Sequence, residues 1–226
     1  MKNIFPFLFL LVPYIAQADS KITLPQIYLF VQSSSIAPTE VNDYLSTNGI
    51  EKFTNLYGVG MEVSQPIFPR FNLGARVSMH YQSQNEKAKP SANPTNPYYG
   101  TLQQVRGAGV ARLGLVQSNL MRVDAVGGAG MTNGRLTTHL SGGDATIDDG
   151  YNNNKMSNFY SFYGASVAVG WKQFYFVTEA GYEMNKVGKL KCSTNATHSI
   201  STLDLSGGYV TIGLMWGSPP SSFRSR

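Results

Sequence analysis

The 226-residue sequence contains one cysteine, Cys192, so no internal disulfide can hold the fold together. Charge is scarce too: Asp, Glu, Lys and Arg make up 14% of the chain, against about 25% in an ordinary soluble domain. The formal net charge of +5 is spread out with no basic block, which removes nucleic acid from the expected partners. Beyond the N-terminal segment no run of 18 apolar residues occurs, and helical membrane spans are thereby excluded. Glycine, in contrast, is abundant. A secreted globule wetted on every side needs more charge than this, so part of the surface is expected not to face water.

The first residues, MKNIFPFLFLLVPYIAQADS, set one lysine before a short apolar run that ends at Ala16-Gln17-Ala18. That is the layout of a cleaved secretory signal peptide over residues 1–18. An anchor helix fits less well, because the run is too short to span a bilayer and carries Pro6 and Pro13. We expect residues 19–216 to form one domain and residues 217–226 a short tail.

Period-2 alternation dominates the rest. In FNLGARVSMHYQ, residues 71–82, Phe71, Leu73, Ala75, Val77, Met79 and Tyr81 share one face, and Arg76 and His80 lie on the other. Helical spacing would mix the two classes, whereas strand spacing separates them. The same rhythm predicts eight strands, over residues 25–33, 54–65, 71–82, 101–116, 120–132, 158–171, 174–185 and 203–216. In the last, the apolar parity shifts around Ser206 to Gly208, which suggests a bulge. Connections alternate between tight (66–70, 117–119, 172–173) and long (34–53, 83–100, 133–157, 186–202). Tight turns at one end and long loops at the other describe an up-and-down antiparallel meander.

The less apolar face decides which side is inside. It carries Gly58, Gly60, Ser64, Gly74, Ser78, Ala108, Gly128, Gly130, Gly164, Ser166 and Gly181, small groups suited to a cramped cylinder interior. The apolar face carries two aromatic groups instead. Phe71, Trp171, Phe174 and Trp216 fall toward the tight turns, and Tyr57, Tyr81, Tyr163 and Tyr182 toward the long loops. Rings at both borders of an aliphatic band suit the two interfaces of a bilayer. About ten residues per strand, at roughly 3.3 Å rise and about 40° of tilt, give about 25 Å of height. The expected fold class is therefore all-β, an eight-stranded antiparallel up-and-down transmembrane β-barrel.

With that parity, the interior charges are Glu62, Arg76, Arg106, Arg112, Arg122, Asp124, Glu179 and Glu183, four basic and four acidic, with His80 near the mouth. Ions in so narrow a lumen must be paired. Distance from the turns suggests Glu62 with Arg76 and Arg112 with Asp124 as cross-strand partners. The network is read as a plug that fixes register. The alternative is a narrow gated channel for small solutes or ions, in which pairs such as Arg106 and Glu183 exchange partners.

Signal peptide, four hairpins, aromatic girdles, a paired polar lumen and a last strand ending in an aromatic: in these the chain resembles the eight-stranded outer-membrane barrels of Gram-negative bacteria of the OmpA/OmpX type. The resemblance implies an outer-membrane location with the long loops extracellular and both termini periplasmic. It implies contact with outer-membrane lipid and lipopolysaccharide, insertion by the barrel assembly machinery, a monomer, and a structural or adhesion-like role through the loops, with no cofactor. In such families the final aromatic usually ends the chain and belongs to the assembly signal, whereas ten residues follow Trp216 here. Some barrels of this size modify lipid A with a histidine and a serine or acidic partner. Here Ser78 and His80 share a face, His139 and His198 lie in loops, and no acid–serine–histidine set is evident, so no enzyme is expected.

Asp144, Asp148 and Asp149 with Asn152 to Asn154 could supply oxygens to calcium, but the spacing is not an EF-hand and a solvated loop is the simpler reading. No activating group accompanies Cys192. Asn195-Ala196-Thr197 is a glycosylation sequon without meaning for a bacterial export product. A closed barrel resists detergent at room temperature, so unboiled and boiled samples should run at different positions on a denaturing gel. Identical mobility with and without boiling contradicts the barrel assignment.

Overall fold

The computed structural model describes residues 25–47, 49–85, 99–118, 120–140, 143–148, 158–171, 173–187, 191–192 and 203–217. Eight strands form the wall: β1 (Gln26–Ser35), β2 (Asn55–Phe68), β3 (Phe71–Asn85), β4 (Tyr99–Gln117), β5 (Met121–Leu140), β7 (Asn158–Trp171), β8 (Phe174–Val187) and β11 (Gly207–Trp216). Three short strands, β6 (Gly143–Asp148), β9 (Lys191–Cys192) and β10 (Leu203–Asp204), extend the loop end. Each wall strand is antiparallel to its sequence neighbour in the wall, and β11 returns to pair with β1, Trp216 opposite Ile27. The eight wall strands therefore close as an antiparallel barrel, each paired on both sides. Among the described residues no helix is long and apolar enough to cross a membrane, a statement that does not bear on strands.

The alternation has the orientation that the small-residue face implied. Leu29, Val31, Val59, Met61, Val77, Met79, Val169 and Leu214 point out, each more than 40% exposed, while Tyr28, Phe30, Glu62, Arg76, Arg112 and Glu179 point in and are buried. Two bulges bend the wall near the turns, between Pro66 and Phe68 and between Gly114 and Val116. The bulge expected near Ser206 is absent. Leu203 opposes Val187 and Gly207 opposes Glu183, one unbroken register on β8, so Leu203 and Leu205 face inward like Tyr209. Their apolar character reflects a change of what lies inside, not a slip of the strand.

What lies inside at the loop end is a helix. Within the 34–53 connection, α1 (Thr39–Thr47) carries Val41 and Leu45 one turn apart on its buried face. Gly49, at φ 77°, ends it: its N–H bonds to Ser46 O at 3.1 Å and that of Ile50 to Leu45 O at 2.9 Å. This is a Schellman closure, in which a residue without a side chain takes the left-handed conformation and Leu45 meets Ile50 across the turn. Asn42 then clamps the returning chain, donating to Phe53 O at 2.9 Å and accepting from Phe53 N at 2.7 Å. Val41, Leu45, Ile50 and Phe53 pack with Leu56, Leu102, Leu136, Leu203 and Leu205 into an apolar cap, every one of them fully buried.

Small residues in the wall make room for large ones in the lumen. A β-carbon on Gly58 would lie 2.5 Å from the His80 ring, and one on Gly128 2.5 Å from the Phe162 ring. Gly58→Val should therefore destabilise the barrel by about 1–3 kcal/mol, and His80→Ala in the same chain should restore most of that loss. Gly130→Val meets the backbone of Ala108 rather than a side chain and has no such suppressor. Urea titrations of protein folded into lipid vesicles measure all three. Equal loss in G58V with and without H80A counts against this packing.

Candidate functional site

The lumen is filled in tiers, and register dictates which side chains meet. Glu62 on β2 lies directly opposite Arg76 on β3, and Glu179 on β8 reaches Arg76 across the bore. Arg76 donates to Glu62 Oε2 from Nε (3.0 Å) and Nη2 (2.7 Å), and to Glu179 from Nη1 (2.8 Å) and Nη2 (2.9 Å). Arg112 completes the set, donating to Glu62 Oε1 at 2.5 Å, to Glu62 Oε2 at 2.9 Å and to Glu179 Oε2 at 2.7 Å. The two carboxylates are thus shared by two guanidinium forks, the geometry in which arginine binds most strongly. Tyr209 adds a hydroxyl donor to Glu179 at 3.0 Å, and Arg112 donates to Ser166 at 3.1 Å.

Aromatic rings enclose this quartet. Arg76 lies 4.6 Å from the Phe162 centroid and 5.1 Å from that of Phe30, and Arg112 lies 5.6 Å from Tyr28. Ring faces carry negative charge density and reject water, so they steady the cations while sealing around them. These interior aromatics were not singled out from the sequence. Their signal was available, since Tyr28 and Phe30 alternate with the outward Ile27, Leu29 and Val31.

The tier nearest the turns corrects one expected pair. Asp124 takes Arg122 at 2.5 Å, not Arg112. The β4–β5 turn is centred beyond residue 118 and the Gly114 bulge shifts the register again, so Asp124 lies opposite Gly114 and Arg112 opposite Val126. Arg122 also donates to Gln26 Oε1 at 3.2 Å. In the tier nearest the loops, Arg106 meets Glu183 at 2.7 Å and donates to Gln104 Oε1 at 2.7 Å. Gln32 and Asn185 join it, Gln32 donating to Glu183 Oε2 at 3.1 Å and Asn185 to Gln104 Oε1 at 3.0 Å. The structure thus puts Glu62, Arg76, Arg106, Arg112, Arg122, Asp124, Glu179, Glu183 and His80 all inside the barrel.

Among the described residues His80 is the histidine inside the barrel. Its Nε2 lies 2.9 Å from Ser78 Oγ, but its Nδ1 has no partner, so the orienting acid of a catalytic triad is missing. Asp144, Asp148, His139 and Cys192 belong to strands whose backbone alone is described. Asp149, Asn152 to Asn154, the sequon, His198 and residues 1–18 and 218–226 lie outside the described residues. Among the described residues no cluster of His, Cys, Asp or Glu could hold a metal.

On the outer wall, Trp171, Phe174 and Trp216 are exposed in adjacent strands at the turn end, with Phe71 half-buried beside Phe68. At the loop end Tyr57 opposes Tyr81, and Tyr163 opposes Tyr182 with ring centroids 6.2 Å apart. Between these belts β1 to β4 and β11 form an apolar concavity of about 830 Å³, lined by Val31, Val59, Met79 and Ile212 among others.

The sequence matches no protein-family model and no curated protein. Solved structures do match the fold. The outer membrane protein OprG of Pseudomonas aeruginosa superposes with a TM-score of 0.54 at 7% identity, over 87% of this chain and 96% of that one. The attachment invasion locus protein Ail of Yersinia pestis gives 0.45 at 13% identity, over 86% and 98% of the two chains. The outer membrane protease OmpT of Escherichia coli gives 0.37 at 10%, over 90% and 99%. At these identities the likeness concerns the fold, which is that of bacterial outer-membrane barrels.

Removing one member of the quartet leaves a buried charge unmatched. Arg112→Met should lower folding stability by about 3–5 kcal/mol. Lys186→Ala, which breaks a 3.5 Å pair with Asp204 on the exposed rim, should cost under about 1 kcal/mol. Urea titration in lipid vesicles separates the two, and similar losses for both would remove the quartet from the account.

Proposed function

We propose that this chain is an integral protein of the bacterial outer membrane that acts as a closed scaffold, presenting its long loops to an extracellular partner. One observation carries the reading: the bore is obstructed twice, by the Glu62–Arg76–Arg112–Glu179 quartet at mid-height and by the apolar cap of α1 above it. A salt-bridged plug alone could open by exchanging partners. A cap of leucines offers an ion no hydration, so it blocks conduction even while the charges rearrange.

The outward aliphatic band between two aromatic belts supports lipid and lipopolysaccharide as the surroundings of the wall. Both ends of the barrel chain, Ile27 and Trp216, lie together at the short-turn end, which on this reading is periplasmic. Assembly follows the common barrel-assembly machinery, and closure of the wall leaves its eight strands no edge for strand exchange, consistent with a monomer. A lipid-modifying activity has little support, because Ser78 and His80 are buried and among the described residues no acid meets the His80 ring. The working surface is then the loop end, the part most free to vary around a fixed wall.

Purified protein in planar lipid bilayers should give no reproducible openings, and neither should Glu62→Ala/Arg112→Ala, in which the cap is intact. Openings of the unaltered protein that vanish on charge substitution would replace this reading by the gated channel. An epitope inserted within residues 86–98 should be detected on intact cells. Detection only after the outer membrane is broken contradicts the orientation.

A further inference from the structure

The outside of a closed barrel is convex, yet one part of this wall is hollow. The concavity of about 830 Å³ on the outer wall is a trough between two rows of outward side chains. The row nearer the tight turns is aliphatic and holds Val31, Val59, Met79 and Ile212. The row nearer the loops is tipped with polar groups, from Ser33, Tyr57, Tyr81 and Gln103. Between the rows Gln32, His80 and Gln104 turn their side chains into the lumen, and Gly58 has none, so the floor of the trough is bare backbone.

Register makes the trough climb. From Val210 on β11 the upper row passes through Ser33, Tyr57 and Tyr81 to Gln103 on β4. Followed the other way round the barrel, through Ala180, Ala165, Ala125 and Leu113, the same row arrives at Phe71 beside a tight turn. The trough therefore rises from β11 toward β4, as the stagger of a closed barrel requires. Its low end, at Val210 and Ile212, lies within the aliphatic band. Its high end crosses the tyrosine belt and reaches Gln103, with the exposed Arg135 opposite on β5. Five strands spaced about 4.8 Å apart, and two rows about 7 Å apart, make it roughly 20 Å long and narrow.

We propose that this trough binds one acyl chain of lipopolysaccharide, with the chain end at Val210 and Ile212 and the sugar head at Tyr81 and Gln103. The inference rests on the orientation proposed above, in which the loop end faces the lipopolysaccharide leaflet. The gradient from aliphatic to polar along one climbing groove is that of an amphiphile. A second barrel fits it poorly, since a stable dimer buries about 800 Å² per partner and a trough of this size offers on the order of 150 Å². Hydroxyl and amide tips can both donate to and accept from the hydroxyls and phosphates of a sugar head, and Arg135 adds a guanidinium at the same end.

Full-length protein folded in detergent micelles is titrated with lipid A and, separately, with dioleoylphosphatidylethanolamine, and bound lipid is counted by native mass spectrometry. Val59→Trp fills the trough, while Val167→Trp puts the same ring on the outer wall of β7, away from it. Both positions are exposed, and the mobility shift on boiling shows that each variant is folded. One lipid A should stay bound to the unaltered protein and to V167W, V59W should hold it at least tenfold more weakly, and the phospholipid should bind at least tenfold more weakly than lipid A. Equal retention of lipid A by V59W and V167W, or none by the folded, unaltered protein, overturns the proposal. Equal binding of the phospholipid overturns the assignment to lipopolysaccharide. Binding in micelles does not depend on orientation in the cell, which the epitope within residues 86–98 reports separately.

Discussion

Two carboxylates shared by two guanidiniums hold the centre of this molecule. Glu62 and Glu179 are each contacted by both Arg76 and Arg112, and all four side chains are buried. An isolated ion at that depth would cost several kcal/mol, so removing any one member leaves the rest with an unmatched charge and lowers stability. Their wall positions on β2, β3, β4 and β8 must therefore converge at one height, and that fixes the stagger of the strands. An apolar plug could tolerate a slip of register. A charged one cannot, since a one-residue slip would turn every ion toward the outside.

The same constraint explains the composition. A bore of eight strands is about filled by its own side chains, so long arginines and stacked rings fit only where the wall beside them is bare. Gly58 beside His80 and Gly128 beside Phe162 supply that space. The outward face is then left to aliphatic residues and two belts of rings, and charge is spent almost wholly on the lumen and the loops. The low overall charge and the charged interior are one fact seen twice. Nearer the loops the demand on the interior changes, and leucines from α1, β2, β4, β5 and β10 replace the ions.

Much of this was legible in the alternation, because a strand has only two faces and the small residues identify the crowded one. The Glu62–Arg76 pair was legible too, since the β2–β3 register stays symmetric about the turn from Gly74 to Tyr81. Arg112 and Asp124 were misassigned because bulges leave no clear mark in sequence and move every pair beyond them. The cap was missed for a different reason. Val41 and Leu45 are a single helical turn's worth of signal inside a polar stretch, and Leu203 and Leu205 resembled a change of parity when the change lay in the surroundings.

The central claim is that the four ions act as one unit, and a double-mutant cycle between Arg112 and Glu179 tests it most directly. Arg112→Met, Glu179→Gln and the double variant are unfolded by urea from lipid vesicles and compared with the unaltered protein. The double variant should be far more stable than the sum of the single losses allows, with a coupling energy of about 2–3 kcal/mol. Losses that simply add would mean that the two side chains are buried independently, and the account of a shared charged core would be wrong.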